Sequence, residues 1–153
     1  MIDAMARARV VARHVGMRAV HIDRLVGWHG LLERGEALSL ETVIRSAPTR
    51  WWYGVPLPNR QAAICYMTDF SGHSRRWLAN ALESADARAI FAAFGADRSI
   101  WLPTPHACGT SFLAMAGGED WLAVGDAALA LDPMSSQGIE FALQCTRYTL
   151  RRS

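Results

Sequence analysis

The chain has 153 residues, 51% of them hydrophobic, and a net charge of +2. That is enough apolar matter for a packed core and far from the composition of a disordered coil, and the charge offers no electrostatic case for nucleic acid. All 16 basic residues are arginine, which excludes catalysis by a lysine amine on this chain.

Residues 4–15 are expected to form a surface helix, with Val10, Val11 and Val15 as apolar positions and Gly16 as its stop. Residues 18–32 alternate in part, with Val20, Ile22 and Leu25 prominent. Gly27 and Gly30 interrupt them, which predicts one long strand with a bend or bulge. Residues 33–37 read as a polar turn. Residues 40–46 alternate again, with Leu40, Thr42 and Ile44 on one side and Glu41, Val43 and Arg45 on the other. Aromatic crowding at Trp51, Trp52 and Tyr53 favours a strand over residues 50–58, ended by Pro56 and Pro58. Residues 61–68 form a further strand, and the turn at Pro58, Asn59 and Arg60 makes the pair a hairpin. The economical picture is an antiparallel sheet of three or four strands with one aromatic face. Core filling is the default role for any one of these aromatics; the functional alternative is that some of them line a substrate cavity over the sheet.

Ser71 and Gly72 break the pattern, and His73 sits in that loop, where a surface histidine is the simpler reading than a proton carrier. Trp77, Leu78, Ala81 and Leu82 fall at helical spacing over residues 75–83. Ala89, Ile90, Ala93 and Phe94 do the same over residues 85–94, with Gly95 as the stop. Both helices are expected to cover the sheet. Pro103 and Pro105 make the next stretch extended and irregular, followed by a strand at residues 110–115 and a turn at Gly117-Gly118.

Residues 121–143 read WLAVGDAALALDPMSSQGIEFAL. An apolar run, residues 121–124, is a buried strand that stops at Gly125-Asp126. Asp132-Pro133 cannot continue a helix. Ser135 and Ser136 are good N-cap residues, and from Gln137 onward Ile139, Ala142, Leu143, Thr146 and Leu150 lie at helical spacing, with Arg147, Arg151 and Arg152 suiting the helix end. The order is strand, small-residue turn, proline loop, helix start. Gly125, Ala127, Ala128 and Gly138 let a flat ligand approach the backbone. Asp126 can accept hydrogen bonds from sugar-like hydroxyls, and the N–H groups of Gln137, Gly138 and Ile139 suit an electron-rich edge. An ordinary strand-turn-helix remains the plain alternative.

The stretch GDAALALDPMSSQGI resembles the second flavin-binding motif of FAD-dependent monooxygenases of the para-hydroxybenzoate hydroxylase type, closest to the subgroup with the flavin-dependent halogenases. The resemblance implies that Asp126 binds the flavin ribityl chain, that Pro133 lies beside the isoalloxazine ring, and that Gly138 and Ile139 meet its pyrimidine edge. Gly125, Ala127 and Gln137 belong to the same cofactor-binding set. Asp3, Ala4 and Arg7 resemble the family's Asp-Ala-Thr-Gly-Arg segment, with Met5-Ala6 in place of Thr-Gly. Trp51, Tyr53, Val55 and Pro56 partly match the halogenases' Trp-x-Trp-x-Ile-Pro segment, which makes Trp51 and Tyr53 the implied substrate-binding residues.

The expected class is α+β: an antiparallel substrate-binding sheet covered by helices, plus a strand-loop-helix from an FAD-binding domain. The expected domains are residues 1–17 as a remnant of the FAD-binding domain, 18–115 as the sheet domain and 116–153 as the flavin-side strand-loop-helix. No G-x-G-x-x-G is present, so the usual pyrophosphate site is lacking and a C-terminal portion of the family's fold is implied. FAD is the implied cofactor, with NAD(P)H or a separate flavin reductase as electron source and an aromatic small molecule as substrate. Hydroxylase and halogenase both stay open, as do a truncated non-catalytic piece, a module that needs a chain carrying the G-x-G-x-x-G half, and an unrelated α+β binding domain. No catalytic residue is assigned. The five histidines show no ligand spacing, so no metal is expected. Cys65, Cys108 and Cys145 are scattered and odd in number, which fits a reducing cytoplasm. No apolar run is long enough to span a membrane, so neither a membrane nor a nucleic-acid partner is expected.

Overall fold

The computed structural model describes residues 1–35, 40–69, 75–97, 101 and 103–150. In chain order its strands are β1 (Ile2–Asp3), β2 (Ala19–His21), β3 (Val26–Glu33), β4 (Val43–Ala47), β5 (Arg50–Leu57), β6 (Gln61–Thr68), β7 (Thr104–Ala107), β8 (Ser111–Leu113), β9 (Leu122–Ala123) and β10 (Leu129–Ala130). Its α-helices are α1 (Val10–His14), α2 (Arg75–Leu82), α3 (Ala85–Phe94) and α4 (Gly138–Leu150). Two units result: Met1–Arg24 with Cys108–Ser153, and Leu25–Ala107. The class is α+β. The expectations for residues 36–37, Ser71, Gly72, His73, Arg151 and Arg152, and for the side chains of Trp77 and Leu150, lie outside the described residues.

The unit of residues 25–107 is an antiparallel sheet in the order β4-β5-β6-β3-β7. Its register follows from strict alternation. Trp52 of β5, Ala62, Ile64 and Tyr66 of β6 and Leu32 of β3 point to one face, where they pack with Ile90, Phe91 and Phe94 of α3 and with Trp101. Trp52 is fully buried, its ring 4.5 Å from Tyr66, 6.0 Å from Phe91 and 5.6 Å from Trp101. Gly54 completes this face because nothing larger fits: a Cβ there would lie 2.3 Å from Phe94 Cε2. Helix α3 starts at Ser84, whose hydroxyl accepts from the Ala87 N–H at 3.1 Å, and stops at Gly95, left-handed at φ 57°. The hairpin of β5 and β6 turns through Pro58, Asn59 and Arg60, the last two also left-handed. Pro105 is tolerated inside β7 because β7 is an edge strand.

The other unit holds a parallel pair, β1 with β9, and an antiparallel sheet in the order β10-β8-β2. Its small core is Ala12, Leu113, Ala123 and Ala127, with Met17, Trp121 and Ala128 against it.

Several expectations are corrected. Residues 18–32 are two strands in two sheets, β2 and β3, rather than one bent strand. The break is set by long-range bonds: the Ile22 N–H donates to Thr110 O at 2.9 Å, and the Thr110 N–H donates to the Asp23 carboxylate at 2.9 Å. Gly27 and Gly30 are paired in register inside β3. Residues 4–15 are a 3-10 turn at Ala6–Ala8 followed by α1, because Ala6 and Arg9 both take a left-handed φ, 48° and 47°. The second strand begins at Val43 rather than Leu40. The division of the units at 24/25 and 107/108 keeps β2 and β8, which pair with each other, in one unit.

Candidate functional site

The loop after β9 is shaped by small residues. The Val124 N–H donates to Asp3 O at 3.0 Å, which carries the parallel pairing one residue past β9. Gly125 then turns the chain at φ 56° into a 3-10 turn, Gly125–Ala127, closed by the Ala128 N–H on Gly125 O at 2.9 Å. A Cβ on Gly125 would lie 3.2 Å from the Cβ of Ala142, so α4 rests on bare backbone.

After β10, the Asp132 carboxylate caps a second 3-10 turn, Pro133–Ser135, by accepting from the Met134 N–H at 2.6 Å. Ser136 takes φ 52° and provides no cap; the Ser135 hydroxyl instead accepts weakly from the Gln137 N–H at 3.3 Å. Helix α4 follows, its first bond running from the Phe141 N–H to Gln137 O at 2.9 Å. The Gly138 and Ile139 N–H groups have no partner among the described residues, and they stand at the positive end of the helix. Ile139 is 81% exposed and Leu143 63%, so the apolar stripe read at helical spacing is largely open.

An open groove of about 470 Å³ runs between these pieces. Ala4, Ala6, Gly125, Asp126, Gly138 and Ile139 line it, with Val124, Ala142 and Thr146 behind. Asp126 Oδ1 lies 3.9 Å from where a Cβ of Gly138 would stand, so the missing side chain keeps the approach between carboxylate and amide clear. The groove therefore unites Gly125, Asp126, Gly138 and Ile139. Ala127 is fully buried in the core. Pro133 and Gln137 are exposed and do not line the groove. Trp51 and Tyr53 lie in the other unit, half-buried, on the sheet face opposite Trp52 and α3. Their rings meet edge to face at 6.3 Å.

Two side chains hold the loop: Asp3, singled out in the sequence only through the resemblance, and Arg9, which the sequence reading missed. Asp3 is fully buried, and its carboxylate accepts from the Met5 N–H at 3.1 Å and the Ala12 N–H at 2.9 Å, fixing the segment that carries Ala4 and Ala6. Arg9 is 4% exposed; its Nε donates to Ala127 O at 2.9 Å and its Nη2 to Ser111 O at 2.9 Å, Ser111 Oγ at 3.0 Å and Asp126 O at 3.4 Å. Burial lowers the pKa of this guanidinium and the nearby Arg7 lowers it further, against Asp126 and Asp3, yet an arginine stays charged. Arg7 donates to the carbonyls of Gly109, Cys108 and Leu131. For Arg9 the sequence offered only an arginine-rich stretch read as surface helix. Ala6 sits where the resembling segment has glycine, and its left-handed φ explains that preference.

No protein-family model matches the chain. In an alignment of 160 positions that takes in 99% of this chain, it is 26% identical to the protein named "Putative FAD-dependent oxidoreductase LodB" of Marinomonas mediterranea, and it spans 42% of that protein. A flavoprotein/dehydrogenase from Cytophaga hutchinsonii superposes with a TM-score of 0.71 at 18% identity, covering 94% of this chain and 37% of the other. A flavin-dependent halogenase from Xanthomonas campestris does so with a TM-score of 0.69 at 14% identity, covering 98% and 29%. The chain has the fold of part of such flavoenzymes.

Proposed function

We propose that this chain is the C-terminal part of an FAD-dependent oxidoreductase of the aromatic monooxygenase kind. The observation that carries the reading is the groove in which the Asp126 carboxylate faces the unpartnered amides of Gly138 and Ile139 across small residues. That donor and acceptor set fits a flavin. Asp126 would accept from the ribityl hydroxyls. The two amides would donate to the carbonyl-bearing edge of the ring. Ala4, Ala6, Gly125 and Ala142 would leave room for its plane. FAD, when bound, supplies the redox chemistry, taking electrons from NAD(P)H or a separate flavin reductase and activating oxygen. Trp51 and Tyr53 would offer an aromatic substrate two ring faces. A halogenase of the same fold is the alternative, supported by the likeness to the Xanthomonas enzyme. Three cysteines, none of them in a disulfide among the described residues, support a cytoplasmic setting.

A second feature supports a need for the G-x-G-x-x-G half, as more of the same chain or as a partner chain. The parallel pair β1 and β9 has two strands, whereas parallel sheets are normally wide and covered on both faces. The test is an FAD titration followed by flavin fluorescence, with the chain alone and co-expressed with the corresponding half of the Marinomonas relative. Weak binding alone, tight binding with the half, and at least about tenfold loss in Asp126→Ala are expected, the loss being that of a hydrogen-bonded carboxylate. If Asp126→Ala holds FAD as well as the unaltered chain does, the groove is not the flavin site.

A further inference from the structure

A second cavity, of about 500 Å³, shares no lining residue with the groove among the described residues. Among the described residues, Arg7, Arg9, Arg13, Arg18 and His21 supply every polar side chain of its wall, and no carboxylate lines it. Chain geometry brings them together. Arg7 and Arg9 flank the break between the 3-10 turn and α1, Arg13 is in the last turn of α1, and Gly16, left-handed at φ 79°, reverses the chain so that Arg18 and His21 return beside it.

The two inner arginines are fixed and the two outer ones are not. Arg7 is held by three carbonyls, and the 96%-buried Arg9 uses Nε and Nη2 on backbone and Ser111, leaving Nη1 out of those bonds while lining the cavity. Arg13 and Arg18 are exposed, and among the described residues neither has an ion pair. Carbonyl dipoles orient the inner guanidinium groups without cancelling their charge. Four cations converging on one hollow repel each other, and a multiply charged anion relieves that repulsion with forked hydrogen bonds. Burial is the main cause of the lowered Arg9 pKa; Arg7 lowers it further, while Asp126 and Asp3, outside this wall, pull it back up.

We propose that this cavity binds a phosphoryl- or pyrophosphoryl-bearing small molecule, gripped by the fixed Arg7 and Arg9 and closed over by Arg13 and Arg18. The site is independent of the flavin reading, and either can fail alone. The test is isothermal titration of the full chain with pyrophosphate, orthophosphate and AMP, at constant ionic strength made up with sodium chloride. Saturable 1:1 binding is expected. Arg13→Gln with Arg18→Gln should weaken it by about tenfold or more, each lost contact being a charge-assisted hydrogen bond. Arg18→Gln alone should weaken it severalfold, and Arg45→Gln, an exposed arginine on β4, should leave it within twofold. Preference for pyrophosphate assigns a diphosphate group, and equal affinity for orthophosphate assigns a single phosphoryl group. No saturation with any of the three, or the same loss in Arg45→Gln as in the double variant, overturns the proposal.

Discussion

Replacing Gly125 by alanine probes whether α4 truly rests on the bare backbone of the Gly125–Ala127 turn. Gly125 has φ 56°, and its new Cβ would lie 3.2 Å from the Cβ of Ala142. Gly16 is the control: its φ is 79°, and nothing stands within 4 Å of a Cβ there. Alanine in the left-handed region costs about 1–2 kcal/mol at either position. The narrower unfolded ensemble returns about 0.4–1 kcal/mol. Gly16→Ala should therefore destabilise by about 0.5–1 kcal/mol. Gly125→Ala adds a contact between two backbone-anchored carbons that cannot rotate away, so the helix must shift, at an overpacking cost of about 1 kcal/mol or more. Its total is about 2 kcal/mol. The chain has two units, so a single melting temperature would blur the effect. Hydrogen exchange at the Val124 and Ala128 amides, bonded to Asp3 O and Gly125 O, reads the right unit. At tenfold per about 1.4 kcal/mol, protection should fall about thirtyfold in Gly125→Ala and about threefold in Gly16→Ala. Adding Ala142→Gly to Gly125→Ala removes the contact at a helix cost of about 1 kcal/mol, so the pair should couple by about 0.5 kcal/mol or more. Equal losses at the two glycines, or no coupling with Ala142, would refute the packing claim.

Ala6→Gly should stabilise the first unit by about 0.5 kcal/mol, since glycine relieves a left-handed alanine but loosens the unfolded chain; slower exchange at the Arg9 amide, bonded to Ala6 O, measures it, and faster exchange would contradict the reasoning. Gly54→Ala should cost about 1–3 kcal/mol and disturb α3, because the new methyl lands 2.3 Å from Phe94 Cε2; an unchanged urea midpoint for the sheet unit would sink this. Burial raises the Tyr66 pKa, with Arg50 pulling the other way. The folded state then keeps a proton that the unfolded chain loses above about pH 10, so stability present below pH 10 is lost as pH climbs past it. Urea midpoints at pH 8 and above 10 should show a smaller alkaline drop in Tyr66→Phe than in the unaltered chain, and identical drops would rule the tyrosine out. Asp3→Asn leaves an amide where two backbone N–H groups need an acceptor, and should cost about 2–3 kcal/mol by exchange at the Ala12 amide.

Much of the sheet unit was legible because neighbours in sequence decide it. The strand over residues 61–68, the hairpin at Asn59 and Arg60, and helix α3 between Ser84 and Gly95 depend on alternation, turn chemistry and caps, all local. The expected single aromatic face is corrected: Trp52 and Tyr66 lie on the covered face and Trp51 and Tyr53 on the other, because aromatic residues adjacent in sequence alternate sides of a strand. Alternation could not tell that residues 18–32 serve two sheets. A strand looks the same whichever partner it takes, and the break is made by Thr110, far along the chain.

The flavin-side groove divides along the same line. Gly125, Asp126 and Gly138 were visible as small and acidic residues at a strand end and a helix start, and they meet as that spacing implies. The other wall was visible only through the resemblance of residues 3–7 to the Asp-Ala-Thr-Gly-Arg segment, and not from propensity or composition. Ala4 and Ala6 reach the groove because the fully buried Asp3 captures the Ala12 amide and because Arg9, in a left-handed conformation, abandons the helix its neighbours favour. Propensity ranks arginine as a helix former, and a stretch rich in arginine reads as solvent-facing. What overrules both is the set of carbonyls at Ser111, Asp126 and Ala127, more than a hundred residues away, to which the buried guanidinium donates. The Asp126 loop is thus held from behind by the segment that forms the opposite wall, so the groove's two walls cannot be altered independently.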